Sequence, residues 1–142
     1  MEKEVWKSFL PQDKFDIAFL SRIESSKLDK KIISLIIPEL FFWMADMNWP
    51  VAKYVVYFLC QYSALSIPYI KMHLERSETD DDLKYFVISN LIPQLDVVFQ
   101  NELFPYVERI VINPTEIERQ GSYEAAAFWL EHIKNMKKRA KD

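Results

Sequence analysis

Glycine is what this sequence has least of. Among 142 residues there is one, Gly121. Folds that cradle phosphate on glycine loops, or that build tight hairpins, need residues that accept positive φ. The shortage argues against a dinucleotide fold, a P-loop enzyme and a hairpin-rich β protein. Cysteine is as rare. Cys60 stands alone in an apolar run, so neither an intramolecular disulfide nor a cysteine zinc site is expected. It reads as a small hydrophobe, and a reducing, intracellular compartment fits that reading. The two histidines, His73 and His132, have only Ser77 and Met136 at helical ligand spacing. Metal sites, nucleophilic triads and bound cofactors are therefore not expected.

Long apolar runs are missing too. The richest stretch, Ile32 to Trp49, is interrupted by Pro38, Glu39 and Asp46 and falls short of a membrane span. The opening "MEKEVWKSFL" carries acids and no apolar core of the signal-peptide kind. A soluble, cytoplasmic protein without membrane contact is expected.

What is present is apolar and helical in its spacing. Half the residues are hydrophobic and 15% aromatic, which rules out disorder and suffices for one full core. Val51, Val55, Phe58, Leu59 and Tyr62 share a helical face. Leu83, Phe86, Val87 and Leu91 form a second stripe, and Leu103, Val107, Ile110 and Val111 a third. Tyr123, Ala126, Ala127, Leu130 and Ile133 form a fourth, in a helix that "KKRAK" closes with cations suited to its C-terminus. In "TEIE", Thr115 and Glu118 have the spacing of a capping box, expected to open that last helix.

The stripes recur in a loose repeat. "IPELFFWM" from Ile37, "IPYIKMHL" from Ile67 and "FPYVERIV" from Phe104 each place a proline at a plausible first helical position. Each is followed by a polar corner ("DMNWP", "SETDDD", "NPTE") and then by a second amphipathic segment. Such units need neighbours to bury their apolar faces. The expectation is an all-α single domain over 1–142. It comprises an α-α superhelix of about three helix pairs and an N-terminal helical segment near Phe15 to Ile23.

The corner "MADMNWPVAKYVV", from Met44, supports two readings. In one, Asp46 and Asn48 satisfy free backbone groups, Pro50 starts the next helix at its first position, and Trp43 and Trp49 pack between helices. In the other, the two indoles rim a pocket floored by Asp46 and Asn48. The acidic run "ERSETDDD", Glu75 to Asp82, lacks the alternating ligands and the glycine of a calcium loop. It reads as a solvated corner, with Asp80 or a neighbour capping the helix that holds Leu83. Charge is uneven: residues 73–118 carry ten acids and three bases, residues 119–142 three acids and six bases. The basic end complements a helix terminus, while the acidic middle favours a basic protein partner over nucleic acid.

"IIPELFFWMADMNWPVAKYVV", "LKYFVISNLIPQL" and "NPTEIE" resemble a family of small, uncharacterised, mostly bacterial proteins, a domain of unknown function built as a HEAT-like helical array. The resemblance runs from "LPQDKFD" at Leu10 to the last helix. It implies a hallmark, D-M-N-W-P-V-A, in which Trp43, Asp46, Asn48, Trp49 and Pro50 take part, and it supplies no reaction. The chain departs from the family pattern at Leu83 and Phe86, which counts against an aromatic-lined site around Lys84 and Tyr85. The candidate binding residues are thus Trp43, Asp46, Asn48, Trp49, Lys84 and Tyr85, with no catalytic or metal-binding set.

The function expected is non-enzymatic protein binding, as an adaptor module. Neutralising a toxin, as small acidic immunity proteins do, is one concrete version. The alternative is a small-molecule binder or enzyme with its pocket at the Trp43–Trp49 corner and Asp46 as its acid–base residue.

Overall fold

Three of the four apolar stripes become buried helix faces in the computed structural model, which describes residues 2–76 and 81–141. Among the described residues the protein is all-α, with eight α-helices and no strand. The chain forms two compact units, Met1–Tyr69 and Ile70–Asp142.

The first unit begins with a 3₁₀ helix, Glu2–Phe9, followed by α1 (Phe19–Ser26) and α2 (Lys30–Leu40). A 3₁₀ turn, Phe41–Met44, leads into the corner before α3 (Ala52–Gln61), and α4 (Ser63–Glu75) carries the chain across the division. Phe19, Ile36, Leu40, Phe41, Phe58 and Leu59 are at the centre of its core. The N-terminal helix starts four residues later than expected because the preceding carboxylates hold turns instead. Asp13 accepts the N–H of Phe15, and Asp16 accepts that of Gln12 while gripping Arg22 through both guanidinium nitrogens at 2.9 and 2.7 Å. Ser66 is fully buried between α3 and α4, donating to the carbonyls of Leu59 and Tyr62.

The second unit contains α5 (Asp82–Phe86), a π-helical turn at Val87–Leu91 and a 3₁₀ turn at Ile92–Gln94. These are followed by α6 (Val97–Ile112), α7 (Glu116–Arg119) and α8 (Ser122–Lys141). The long α8 packs on α5, the π turn and α6. Val87, Ile88, Leu91, Leu103, Val107 and Ala126 lie in this core.

Three expectations are corrected. The repeat prolines do not start helices: Pro38, Pro68 and Pro105 lie inside α2, α4 and α6. Each helix begins upstream, where buried residues such as Ile33, Ile67 and Leu103 extend the apolar face. Each proline forfeits one backbone bond, and Pro68 and Pro105 do so on exposed faces, where the released carbonyl can be hydrated. Pro50 likewise precedes its helix, since α3 starts at Ala52 with Val51 as its N-cap. The capping box at Thr115 and Glu118 forms as read, but it opens the four-residue α7, and α8 starts separately at Ser122.

Up to α7 the chain turns its corners without glycine. Lys27, at the C-terminus of α1, is the one residue with positive φ among those described. At α2 and α7 side-chain caps open the helix: Asp29 accepts the N–H of Ile32, and Thr115 that of Glu118. Gly121 itself has no positive φ. A Cβ there would lie 2.6 Å from Oδ2 of Asp81, so the single glycine makes room for a carboxylate.

Candidate functional site

The corner between α2 and α3 is held by Asp46. Its Oδ1 accepts the N–H of Asn48 at 2.9 Å, its carbonyl accepts the N–H of Trp49 at 3.0 Å, and the N–H of Val51 reaches back to the carbonyl of Lys14 at 3.0 Å. Asn48 takes part through its backbone, and its side chain is exposed. Around this turn three rings gather. Phe42 meets Trp43 edge-on at 5.3 Å and Trp49 at 5.9 Å, and the indoles lie 6.1 Å apart. At that spacing the indoles touch each other and leave no gap for a ligand between them. Trp43 and Trp49 are half-buried, whereas Phe42 is 61% exposed. The structure therefore brings Trp43, Asp46, Asn48 and Trp49 together, and adds Phe42, which sequence reasoning overlooked.

Lys84 and Tyr85 belong to the second unit and diverge from each other. Lys84 occupies a buried position of α5 where the apolar stripe had predicted Leu83, which is only half-buried. Its ammonium donates to Glu118 Oε2 and to the carbonyl of Arg76, both at 2.5 Å. Glu118, 1% exposed, is the hub. Arg109 grips both its oxygens, at 2.5 and 2.9 Å, and the N–H of Thr115 donates to Oε1 at 2.9 Å. Arg109 also donates to the carbonyl of Leu74 at 2.8 Å. Burial pushes the Glu118 carboxyl up, but the bonds from Arg109, Lys84 and Thr115 outweigh it and bring its pKa down to about 2. With both oxygens occupied by cations and an amide, this cluster joins α5, α6 and α7 and has no acceptor left for chemistry. The carboxylate serves at once as capping-box partner and as counterion.

Asp81 was the neighbour able to cap α5; Asp80, the residue named for that role, lies outside the described residues. Asp81 makes no side-chain cap of its own helix. It accepts instead the N–H and O–H of Ser122, at the start of α8. Burial raises its pKa, with the two Ser122 bonds opposing. His73 is half-buried, and burial, aided by Arg76 and Lys84, holds its pKa below the ordinary imidazole value. Among the described residues no three histidine, cysteine or acidic side chains gather as a metal set.

Tyr85 faces a different environment. With Ile88, Ser89 and Pro93 it forms one wall of a cavity of about 560 Å³. The opposite wall is α8, through Glu124, Ala125, Phe128, Trp129 and His132. The π turn carries Ile88 and Ser89 into this wall, and such turns recur at functional sites. Phe128 is 78% exposed at the cavity, while Trp129 is buried, with its ring 6.0 Å from Phe104. The indole N–H is itself buried and lacks a hydrogen-bond partner among the described residues, so Trp129 offers the cavity a ring and not a donor. Of the cavity's residues, sequence reasoning had singled out Tyr85 alone as a binding residue. The missed signal was a second α8 stripe at 124, 125, 128, 129 and 132, beside the core stripe.

No curated protein matches the chain. Residues 9–130 match the model of a family described as a domain of unknown function (DUF5071). That span takes in the aromatic corner, the buried charge cluster and every cavity residue except His132, and the chain belongs to the DUF5071 family.

Proposed function

We propose that this protein is a non-enzymatic protein-binding module, with the Phe42–Trp43–Trp49 corner as its contact surface and a basic protein as its partner. The observation that carries this reading is the exposure of Phe42 on top of two half-buried indoles. Large aromatic side chains held rigid at a surface are the anchors on which protein interfaces concentrate their binding energy. The turn beneath them is already fixed by Asp46, so little ordering is left to be done on binding.

Charge supports the basic partner. Residues 73–118 have a formal net charge of −7, and two of their three bases, Lys84 and Arg109, are committed to Glu118. Apart from that cluster, the stretch stands at a net −8, a field that attracts cations and disfavours nucleic acid. The reading includes the HEAT-like superhelix expected of the sequence, in which stacked pairs present a recognition face, and a cytoplasmic setting. Neutralising a basic toxin is its most concrete form.

The test is comparative capture on the immobilised full chain. Phe42→Ser is compared with Tyr57→Ser, a change at another exposed aromatic position of the same unit. Circular dichroism checks that both variants keep their helices. A partner that Phe42→Ser loses, that Tyr57→Ser keeps and that added salt weakens is the expected result. Equal capture by both variants, or no partner above the bare support, overturns the reading.

A further inference from the structure

We infer that the cavity between the π turn and α8 is a binding site for a small organic cation, an ammonium group carried on an apolar body. Its volume of about 560 Å³ is in the range of small-molecule sites. Three aromatic residues line it, Tyr85 on one wall and Phe128 and Trp129 on the other. Among the described residues, Tyr85 pairs with Phe86 and Trp129 with Phe104, so no two of the cavity's rings stack together. Lysines lie over the rings of Trp6, Phe15, Tyr54, Phe104 and Tyr106. Among the described residues none lies over the cavity's three rings, and these supply their negative π faces with no internal cation.

Glu124 decides the sign of the ligand. Among the described residues it is the one acid of the lining, and no lysine or arginine joins it. Phe128 follows it by four residues on the same face of α8, so a carboxylate and a ring stand as adjacent rungs. An ammonium group placed there meets both. His132, the lining's other ionisable side chain on α8, is eight residues further on, about 12 Å along the axis, and Asp81 at Ser122 adds acid to the Glu124 end. The apolar body would lie over Ile88, Pro93 and Ala125. This arrangement also gives a role to Phe128, which is largely exposed at the cavity and takes no part in the core.

Benzyltrimethylammonium is the probe, compared with neutral N,N-dimethylbenzamide and anionic phenylacetate by isothermal titration against the full chain. The cation should bind at least about tenfold more tightly than either, with the Trp129 indole N–H resonance shifting on titration. Glu124→Gln and Phe128→Ala, both at exposed positions and expected to fold, should each weaken it about fivefold or more. Phe42→Ser should leave it unchanged, which separates this site from the aromatic corner. Equal affinity for the neutral probe, or an unchanged affinity in Glu124→Gln, overturns the assignment. A trimethyllysine peptide that binds more tightly than the free probe would transfer the site to a protein ligand and overturn it as well.

Discussion

The two units close their helix corners by different means. Between α2 and α3 the polar side chain acts locally: Asp46 holds the backbone two and three residues on, and the one long reach, from the N–H of Val51 to the carbonyl of Lys14, is backbone to backbone. The aromatic residues of that corner are left partly outside. From α6 to the start of α8 the polar side chains come from afar. Glu118 receives Lys84 from 34 residues away, Arg109 bonds a carbonyl 35 residues away, and Asp81 holds Ser122 across 41 residues. The local corner can vary its surface without loosening the fold, whereas the distant one buries charge that only its own partners can neutralise. A surface contact suits the first. The second is architecture.

The sharpest way to break that distinction is Glu118→Ala. It strands Lys84 and Arg109 without their counterion and leaves the N–H of Thr115 without its acceptor. Removing one partner of a buried ion pair costs about 3–5 kcal/mol, and urea denaturation should show a loss of that order. A loss no larger than a surface pair's, about 1 kcal/mol or less, would mean that the cluster does not hold the helices together.

Acid probes the same carboxylate without mutation. The folded-state pKa of Glu118 is depressed from 4.5 to about 2. Its contribution is therefore complete above pH 4.5 and is lost as pH falls toward 2, on the order of 3 kcal/mol at most. Asp81 runs the other way: its raised pKa favours the folded state at low pH and that gain fades as pH rises. Denaturation followed from pH 6 to 2.5 should show stability falling in the native chain and a flatter profile in Glu118→Gln. Parallel profiles would remove Glu118 as the source.

The contrast between corners also explains what could be read from the sequence. Helix periodicity and the Thr115–Glu118 box are local patterns, and they appear in the structure as buried faces and a formed cap. The Asp46 turn was legible for the same reason. Lys84 was not, because no spacing rule joins it to a carboxylate 34 residues on, and a lysine on an apolar stripe reads as a surface residue. The prolines misled because a buried stripe outweighs a preferred starting position. The cavity escaped notice because Tyr85 and Phe128 meet only after α8 folds back on the π turn.

A smaller effect is expected at Gly121. Alanine there puts a Cβ 2.6 Å from Asp81 Oδ2, and overpacking of this kind costs about 1–3 kcal/mol. Because the backbone at Gly121 has no positive φ, the penalty belongs to Asp81 and not to the glycine conformation. It should largely disappear in an Asp81→Ala background, a coupling that a double-mutant cycle measures. Additive losses would mean that the glycine is needed for its backbone.

The smallest effect falls on the local corner, at Asp46. Its carboxylate holds the N–H of Asn48 at 2.9 Å, in the manner of a side-chain cap whose removal costs about 0.5–2 kcal/mol. Asp46→Asn keeps an acceptor oxygen at the same position and should recover most of what Asp46→Ala loses, because the bond needs an oxygen and not a charge. Thermal denaturation of the pair makes the comparison. Equal losses in both variants would show that the charge matters and would move Asp46 toward a ligand or partner contact. No loss in either would leave the carboxylate without a structural task, and Lys14, Trp49 and Val51 alone would then hold the turn. The expected result, a loss of about 1 kcal/mol in alanine and little in asparagine, makes Asp46 the support on which the exposed rings stand. A corner whose one carboxylate contributes this modestly is one whose outer surface is free to serve recognition.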